Sequence, residues 1–422
     1  MGRRQESQGL HGGRPGSSPY KTPATQALRR RVAGVQEAPV KERQRPNILL
    51  ITSDQQHAGT LGAVNPRIRT PALDRLCREG VRFDRAYCPN PTCTPSRASI
   101  LTGMYPSQHG AWSLGTRLFE DVPTISGLLG AAGYQTSLVG KAHFQPLASQ
   151  PGMESIECQP TLRDLAFWRG FHGPWYGFDR VETARMHGCE SHAGGHYAVW
   201  MEDQGFTQWR DYFEDWPPDP EKRRRLLSRR TWDLPEEFHY TRWTGERTIA
   251  QIERAAAAGR PFFCWSSFHD PHPPYLAPKP WSEMYDPADM QPGTLHAGEH
   301  AANPPHFALT QEKKPDFRAV FGDDGHLHGA RSHLHDEAEL RKDMACYYGM
   351  ISFMDREIGR ILESHHQTRR GGQKIATGRR PVWNLSSLGP GQRLLKPRPH
   401  IARIRAPHGE HVAQHGRPRI VP

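Results

Sequence analysis

The order of apolar runs along the chain predicts an α/β fold with a mainly parallel central sheet flanked by helices. Three runs carry this expectation: Asn47–Thr52, Tyr134–Val139 and Pro261–Phe268. Asn47–Thr52 and Pro261–Phe268 are short and mostly apolar, the composition of strands covered on both faces, and Tyr134–Val139, after a helix, suggests another strand. Between them lie segments with helix start and stop signals, so strands and helices alternate. The chain has 422 residues, enough for one large domain or two ordinary ones.

Taken in order, residues 1–45 are rich in Gly, Pro, Arg and Ser without periodicity and read as a disordered basic leader. The first strand, Asn47–Thr52, ends in Ser53-Asp54-Gln55-Gln56, which puts polar groups at the carboxyl edge where open α/β sheets build their sites. Thr70-Pro71 starts a helix, Thr as N-cap and Pro at the first helical position, and Gly80 closes it. Val81–Tyr87 alternates and suggests a short strand. Pro123–Ala132 reads as a helix closed by Gly133, leading into the strand that ends at Gly140-Lys141. Residues 145–245 are irregular and rich in Trp, His and Tyr, the pattern of an insertion over the sheet edge. Its aromatic residues could stack on a sugar, but packing the insertion's own core is the expected use. After Pro261–Phe268, residues 337–363 form the clearest helix, with Leu340, Met344, Tyr347, Ile351, Met354, Ile358 and Leu362 at helical spacing.

Composition narrows the function. Hydrophobic residues make up 36% and mean hydropathy is −0.75, low for a chain folded throughout. The net charge is +11, and residues 365–422 alone hold 12 Lys and Arg against the single acid Glu410. The stretch 46–364 is net acidic, so the basic pI does not describe a nucleic-acid-binding surface on the folded part. The tail would bind nucleic acid or anionic surfaces only non-specifically, and less so at high salt. The 7 cysteines show no Cys-x-x-Cys pair and no zinc-ligand spacing. With no apolar run of signal-peptide or membrane-spanning length, no membrane association is expected and the compartment defaults to cytoplasmic.

Four short segments could carry chemistry. Cys93 sits in a Pro-rich loop that runs into a short helix, and helix N-termini stabilise anions and thiolates. Arg97 follows one helical turn on and can face the same pocket. Asp54 and Gln55 follow the first strand. In Gly140-Lys141-Ala142-His143, alternation at a strand end points Lys141 and His143 to one side. His269 and His272 lie in Phe268-His269-Asp270-Pro271-His272-Pro273-Pro274. Cys93-Thr94-Pro95-Ser96-Arg97, followed by Ala98-Ser99-Ile100-Leu101-Thr102-Gly103, closely resembles the signature of the sulfatase family, of the Cys type and within the alkaline phosphatase-like superfamily. The likeness covers about 46–364 and is strongest over 46–144.

The resemblance implies that an activating enzyme, the formylglycine-generating enzyme, oxidises Cys93 to formylglycine. Asp54, Gln55 and the modified Cys93 would bind a divalent cation, Ca2+ first and Mg2+ or Mn2+ as alternatives. Gln55 stands where many members have a second Asp. Arg97 would hold the formylglycine and the metal-site charge, Lys141 the sulfate oxygens, and His143 the formylglycine hydroxyl. His272 would assist the leaving alcohol, with His269 as a supporting group. The implied reaction is hydrolysis of a sulfate ester on a small molecule or carbohydrate, in which a hydroxyl of the hydrated formylglycine attacks sulfur. Gln55 also occurs in phosphonate and phosphate monoester hydrolases of the superfamily, which gives a second reading.

The sequence departs from the family after residue 364. The expected Asp-His-Gly or Asp-Asn segment, with two further metal ligands, does not follow the long helix, and Gly322–His328 reads as a polar loop rather than its substitute. Residues 365–422 read as a basic, low-order, non-family tail from truncation or a shifted frame. On that reading the sheet is incomplete at its C-terminal end, and metal binding is weak. The third reading is then an inactive fragment with a non-specific anion-binding tail.

Overall fold

The computed structural model describes residues 45–370, except 150, 218, 228–229 and most positions of 294–335, together with 382–383. The expectations for residues 1–44, for Gly322–His328 and for most of the tail lie outside the described residues.

Four parallel strands form the central sheet: β1 (Ile48–Thr52), β3 (Gln135–Lys141), β4 (Arg180–Ala184) and β5 (Phe262–Ser267), in the order β1-β5-β3-β4. Ile48 pairs with Phe263, Thr136 with Phe263 on the other side of β5, and Ser137 with Arg180. The α/β class expected from the sequence is the class observed.

Alternation along these strands divides the core into two faces. Leu138, Phe263 and Trp265, with Ile48 and Leu50 beside them, meet Ala98 and Leu101 of helix α2 (Cys93–Thr102). Leu49, Ile51, Phe262 and Cys264 point the other way. They pack on Leu76 of α1 (Pro71–Glu79), on Ile252 and Ala255 of α6 (Tyr240–Ala257), and on Met354, Ile358 and Ile361 of α7 (Glu337–Arg370). Helices therefore cover both faces, as a parallel sheet requires. The helix expected over Pro123–Ala132 is α3 (Ile125–Ala131).

Three elements differ from expectation. Only Val81–Arg82 of the expected strand Val81–Tyr87 forms β2, paired with Val382–Trp383 (β6). Arg82 turns instead to an ion pair with Asp84 at 2.8 Å. The last helix runs to Arg370, beyond the apolar pattern that marks it.

The third difference concerns 145–245, which supplies β4, the fourth strand of the sheet. Arg180-Val181-Glu182-Thr183-Ala184 has no apolar run, because it is an end strand whose Glu182 is held by Arg247 at 2.5 Å. Around it lie α4 (Leu165–Gly170) and α5 (Gly195–Asp203). Tyr197, Trp209, Phe213, Trp232 and Trp243 form a separate buried aromatic cluster.

Among the described residues no helix is long and apolar enough to cross a membrane.

Candidate active site

Because the four strands are parallel, their carboxyl ends share one edge, and the segments leaving them converge there. Asp54 follows β1, Lys141 ends β3, Arg185 and His187 follow β4, and His269 and His272 follow β5. Helix α2 brings its first residue, the half-buried Cys93, to the same edge. Its sulfur lies 3.8 Å from Oδ1 of Asp54 and 3.5 Å from Nζ of Lys141.

Two devices set the height of Lys141. Gly140 has φ +97°, and a Cβ there would lie 2.0 Å from the Ser267 carbonyl oxygen, so only glycine lets β3 approach β5 here. Ser267 Oγ then donates to the Lys141 carbonyl at 2.7 Å. Arg97 locks the same corner: its Nη1 donates to that carbonyl at 2.8 Å and to Ser267 Oγ at 2.7 Å, and its Nη2 reaches Asp54 at 3.5 Å.

The Lys141 ammonium is fully buried and therefore needs partners for its charge. It has three: an ion pair with the Asp54 carboxylate, the Cys93 sulfur, and Nε2 of His187 at 2.5 Å. Burial works against ionisation of Asp54, but Lys141 and Arg97, then His272 and His187, overcome it and hold the carboxyl well below its ordinary value. Asp54 is thus a carboxylate at neutral pH.

Four imidazoles lie at this edge: His187, His272, His269 and His143. His272 stacks on His187 with ring centroids 3.7 Å apart, and its Nδ1 donates to the Pro273 carbonyl at 2.6 Å, which leaves Nε2 with a lone pair. Burial lowers the His272 imidazole and Asp54 opposes that lowering. His269 bonds the Ala184 carbonyl through Nε2 at 3.1 Å, away from the cluster.

His143 adopts a left-handed backbone (φ 55°). The buried Glu157 carboxylate accepts the amides of His143, Phe144 and Gln145 at 2.6, 2.8 and 2.9 Å, which fixes that turn. Its Nε2 meets Arg185, and its buried Nδ1 has no partner. Burial first, then Arg185 and Lys141, hold His143 well below its ordinary value and therefore neutral.

Asp54, Cys93 and His272 each bring one ligand atom within 4.8 Å of the other two, a group able to hold a metal. A hard cation such as Ca2+ takes six to eight oxygens; Asp54 supplies oxygen here, and residue 93 would do so only with an oxygen in place of its sulfur. Gln55 follows Asp54 in a left-handed backbone (φ 60°), its carbonyl bonded by the Tyr347 hydroxyl at 2.9 Å.

Of the expected site residues, Asp54, Cys93, Arg97, Lys141 and His272 come together, while His143 pairs with Arg185. His187 falls within the stretch 145–245 that the sequence marks only as rich in Trp, His and Tyr, and no sequence signal singles out Arg185, Glu157 or Ser267. Arg185 and His187 do stand at alternate spacing after a strand, but β4 lacks the apolar run that would have marked it.

The sulfatase family model matches residues 46–370. Over 329 residues the chain is 29% identical to an arylsulfatase of Clostridium perfringens, covering 75% of this chain and 59% of that protein. It is 28% identical over 327 residues to a multifunctional alkaline phosphatase superfamily protein of Trinickia caryophylli, covering 75% and 59%. A phosphonate monoester hydrolase from Silicibacter pomeroyi superposes with TM-score 0.55 at 27% identity, over 77% of this chain and 60% of that one. The chain thus spans about six-tenths of the length of these relatives.

Proposed function

The chain belongs to the sulfatase family, and on that premise we propose that it hydrolyses a sulfate ester of a small molecule or carbohydrate at residue 93. The observation that carries this reading is the meeting of Cys93, at a helix N-terminus, with the buried Lys141 ammonium and the Asp54 carboxylate. The Cys93 sulfur marks the place of the oxygen that formylglycine, made by an activating enzyme, would supply as nucleophile. Asp54 and residue 93, with Gln55 beside them, would hold a divalent cation, Ca2+ or else Mg2+ or Mn2+, which when bound supplies Lewis-acid polarisation of an anionic oxygen.

The chain's own groups then have distinct tasks. Lys141 and Arg97 draw an anionic ester to the sheet edge and offset charge on its oxygens, the largest contribution in most such sites. His143, neutral and with a free Nδ1, holds a hydroxyl at residue 93. His272 moves a proton at the leaving oxygen through Nε2.

A second reading, cleavage of phosphonate or phosphate monoesters, is favoured by Gln55, an amide where many sulfatases carry a carboxylate, and by the likeness to the Silicibacter enzyme. One experiment separates the readings. The protein is co-produced with a formylglycine-generating enzyme, conversion at position 93 is followed by peptide mass spectrometry, and 4-nitrophenyl sulfate is compared with 4-nitrophenyl phenylphosphonate. Conversion with faster sulfate hydrolysis supports the first reading, and faster phosphonate hydrolysis the second. An unconverted thiol without turnover of either ester overturns both.

A further inference from the structure

His187 is nearly fully buried, follows β4 by three residues, and has no counterpart among the residues that the sequence marked for chemistry. Its two ring nitrogens are spoken for. Nε2 lies 2.5 Å from Nζ of Lys141, and Nδ1 lies 2.9 Å from Oε2 of Glu190. An ammonium can only donate, so Nε2 carries the lone pair. The ring proton therefore sits on Nδ1, where a carboxylate can only accept it. The same Glu190 oxygen also takes the His187 amide at 3.1 Å, so one carboxylate oxygen fixes both backbone and ring. The stack on His272, 3.7 Å between centroids and 15° between planes, blocks rotation of the ring.

We propose that His187, whose Nδ1–H is held by Glu190, is a positioning residue that orients the Lys141 ammonium. A lysine head is a point charge on a flexible stem with three rotatable donors. His187 takes one of the three, and the remaining two then face Asp54 and the side chain at residue 93. A neutral acceptor suits this task better than a carboxylate would. It fixes direction without cancelling the charge that must meet an anionic substrate, while the Glu190 charge stays one ring farther away and its side chain is 35% exposed. The contribution to turnover rests on the ester-hydrolase reading above, but the tautomer and the Lys141 contact do not.

The test has two arms, both on the full chain. In the first, side-chain nitrogen NMR of histidine-labelled protein, assigned with His187→Ala, reads the tautomer. The expected spectrum has the His187 proton on Nδ1, and in Glu190→Leu, where Lys141 still donates to Nε2, the tautomer stays while the Nδ1 resonance shifts with the loss of its acceptor. A proton on Nε2 in the wild type, or an Nδ1 resonance unmoved in Glu190→Leu, overturns the proposal. In the second arm, His187→Ala lowers kcat on 4-nitrophenyl sulfate by about tenfold to a hundredfold, the usual cost of a lost orienting partner. KM changes little, and free imidazole restores part of the rate. Unchanged kcat, or a loss that imidazole leaves untouched while the melting temperature stays at the wild-type value, overturns it. If the wild type hydrolyses none of the esters, the functional reading fails and the NMR arm alone decides the proposal.

Discussion

Nη2 of Arg185 lies 2.8 Å from Nε2 of His143. A guanidinium has only donors, so His143 accepts at Nε2 and carries its proton on the unpartnered Nδ1. Arg185 thereby decides which nitrogen of His143 can donate to a group bound at the sheet edge. Arg185→Gln should release that choice and lower kcat on an aryl sulfate by about tenfold to a hundredfold. It should also destabilise the fold, because the buried Glu157 loses the charge that most offsets its burial. Steady-state kinetics and urea unfolding would measure the two effects, and equal kcat in both proteins would reject the tautomer assignment.

Glu157 holds the turn that carries His143. Glu157→Ala leaves three backbone amides without their acceptor, at His143, Phe144 and Gln145. A loss of about 3 kcal/mol is expected. Hydrogen exchange read on a peptide spanning 142–146 should accelerate more than on one spanning β5. Uniform acceleration would mean that Glu157 supports the whole fold and not this turn.

Gly140→Ala should be among the most damaging substitutions in the sheet. Its Cβ would lie 2.0 Å from a carbonyl oxygen at a positive φ. Neither β3 nor β5 can move away without breaking its pairing with the other. A penalty above about 4 kcal/mol is expected, visible as a large drop in melting temperature or as failure to fold. A melting temperature close to the wild-type value would contradict the close approach.

Asp355 on α7 offers a pH test remote from the site. Its carboxyl accepts the amides of Ala72 and Leu73 at the start of α1, at 3.0 and 2.7 Å. Burial raises it from 3.8 to about 6. The folded chain therefore holds this proton more tightly than the unfolded chain does. Its contribution to stability is complete below pH 3.8 and is lost as pH rises through about 6. The difference amounts to about 3 kcal/mol. Asp355→Asn lacks this titration, so its stability relative to the wild type should improve between about pH 4 and pH 7, read by urea unfolding across that range. A constant difference would show that Asp355 ionises normally in the fold.

Several elements were readable because their signals are local. The strands around Leu50 and Trp265 are covered on both faces, so burial left mostly apolar runs in the sequence, and the strand around Leu138 follows a helix whose end Gly133 marks. Cys93 and Arg97 stand one turn apart on one helix, and Lys141 and Asp54 each lie at or just past a strand end. Such placements follow from spacing of a few residues.

β4 escaped notice for the opposite reason. As an end strand it carries Arg180 and Glu182, and Glu182 is stabilised by Arg247, which lies 65 residues away in sequence. Nothing within the strand announces that pairing. The aromatic stretch around it was more legible: Tyr197 and Trp209 are buried in a cluster of their own, as large apolar surfaces in irregular sequence tend to be.

The sequence by itself determined the α/β class, three of the four sheet strands, and the identity of the groups at residues 54, 93, 97, 141 and 272. The tertiary structure alone decided the strand order and the entry of β4 into the sheet. It also decided the partners of the two central imidazoles, Arg185 for His143 and Glu190 with Lys141 for His187. Apolar burial and helix caps are written into neighbouring residues, whereas a ring's tautomer depends on which donor or acceptor faces each nitrogen. Arg185 and Lys141 reach these rings across 42 and 46 residues of chain, and only folding brings them together.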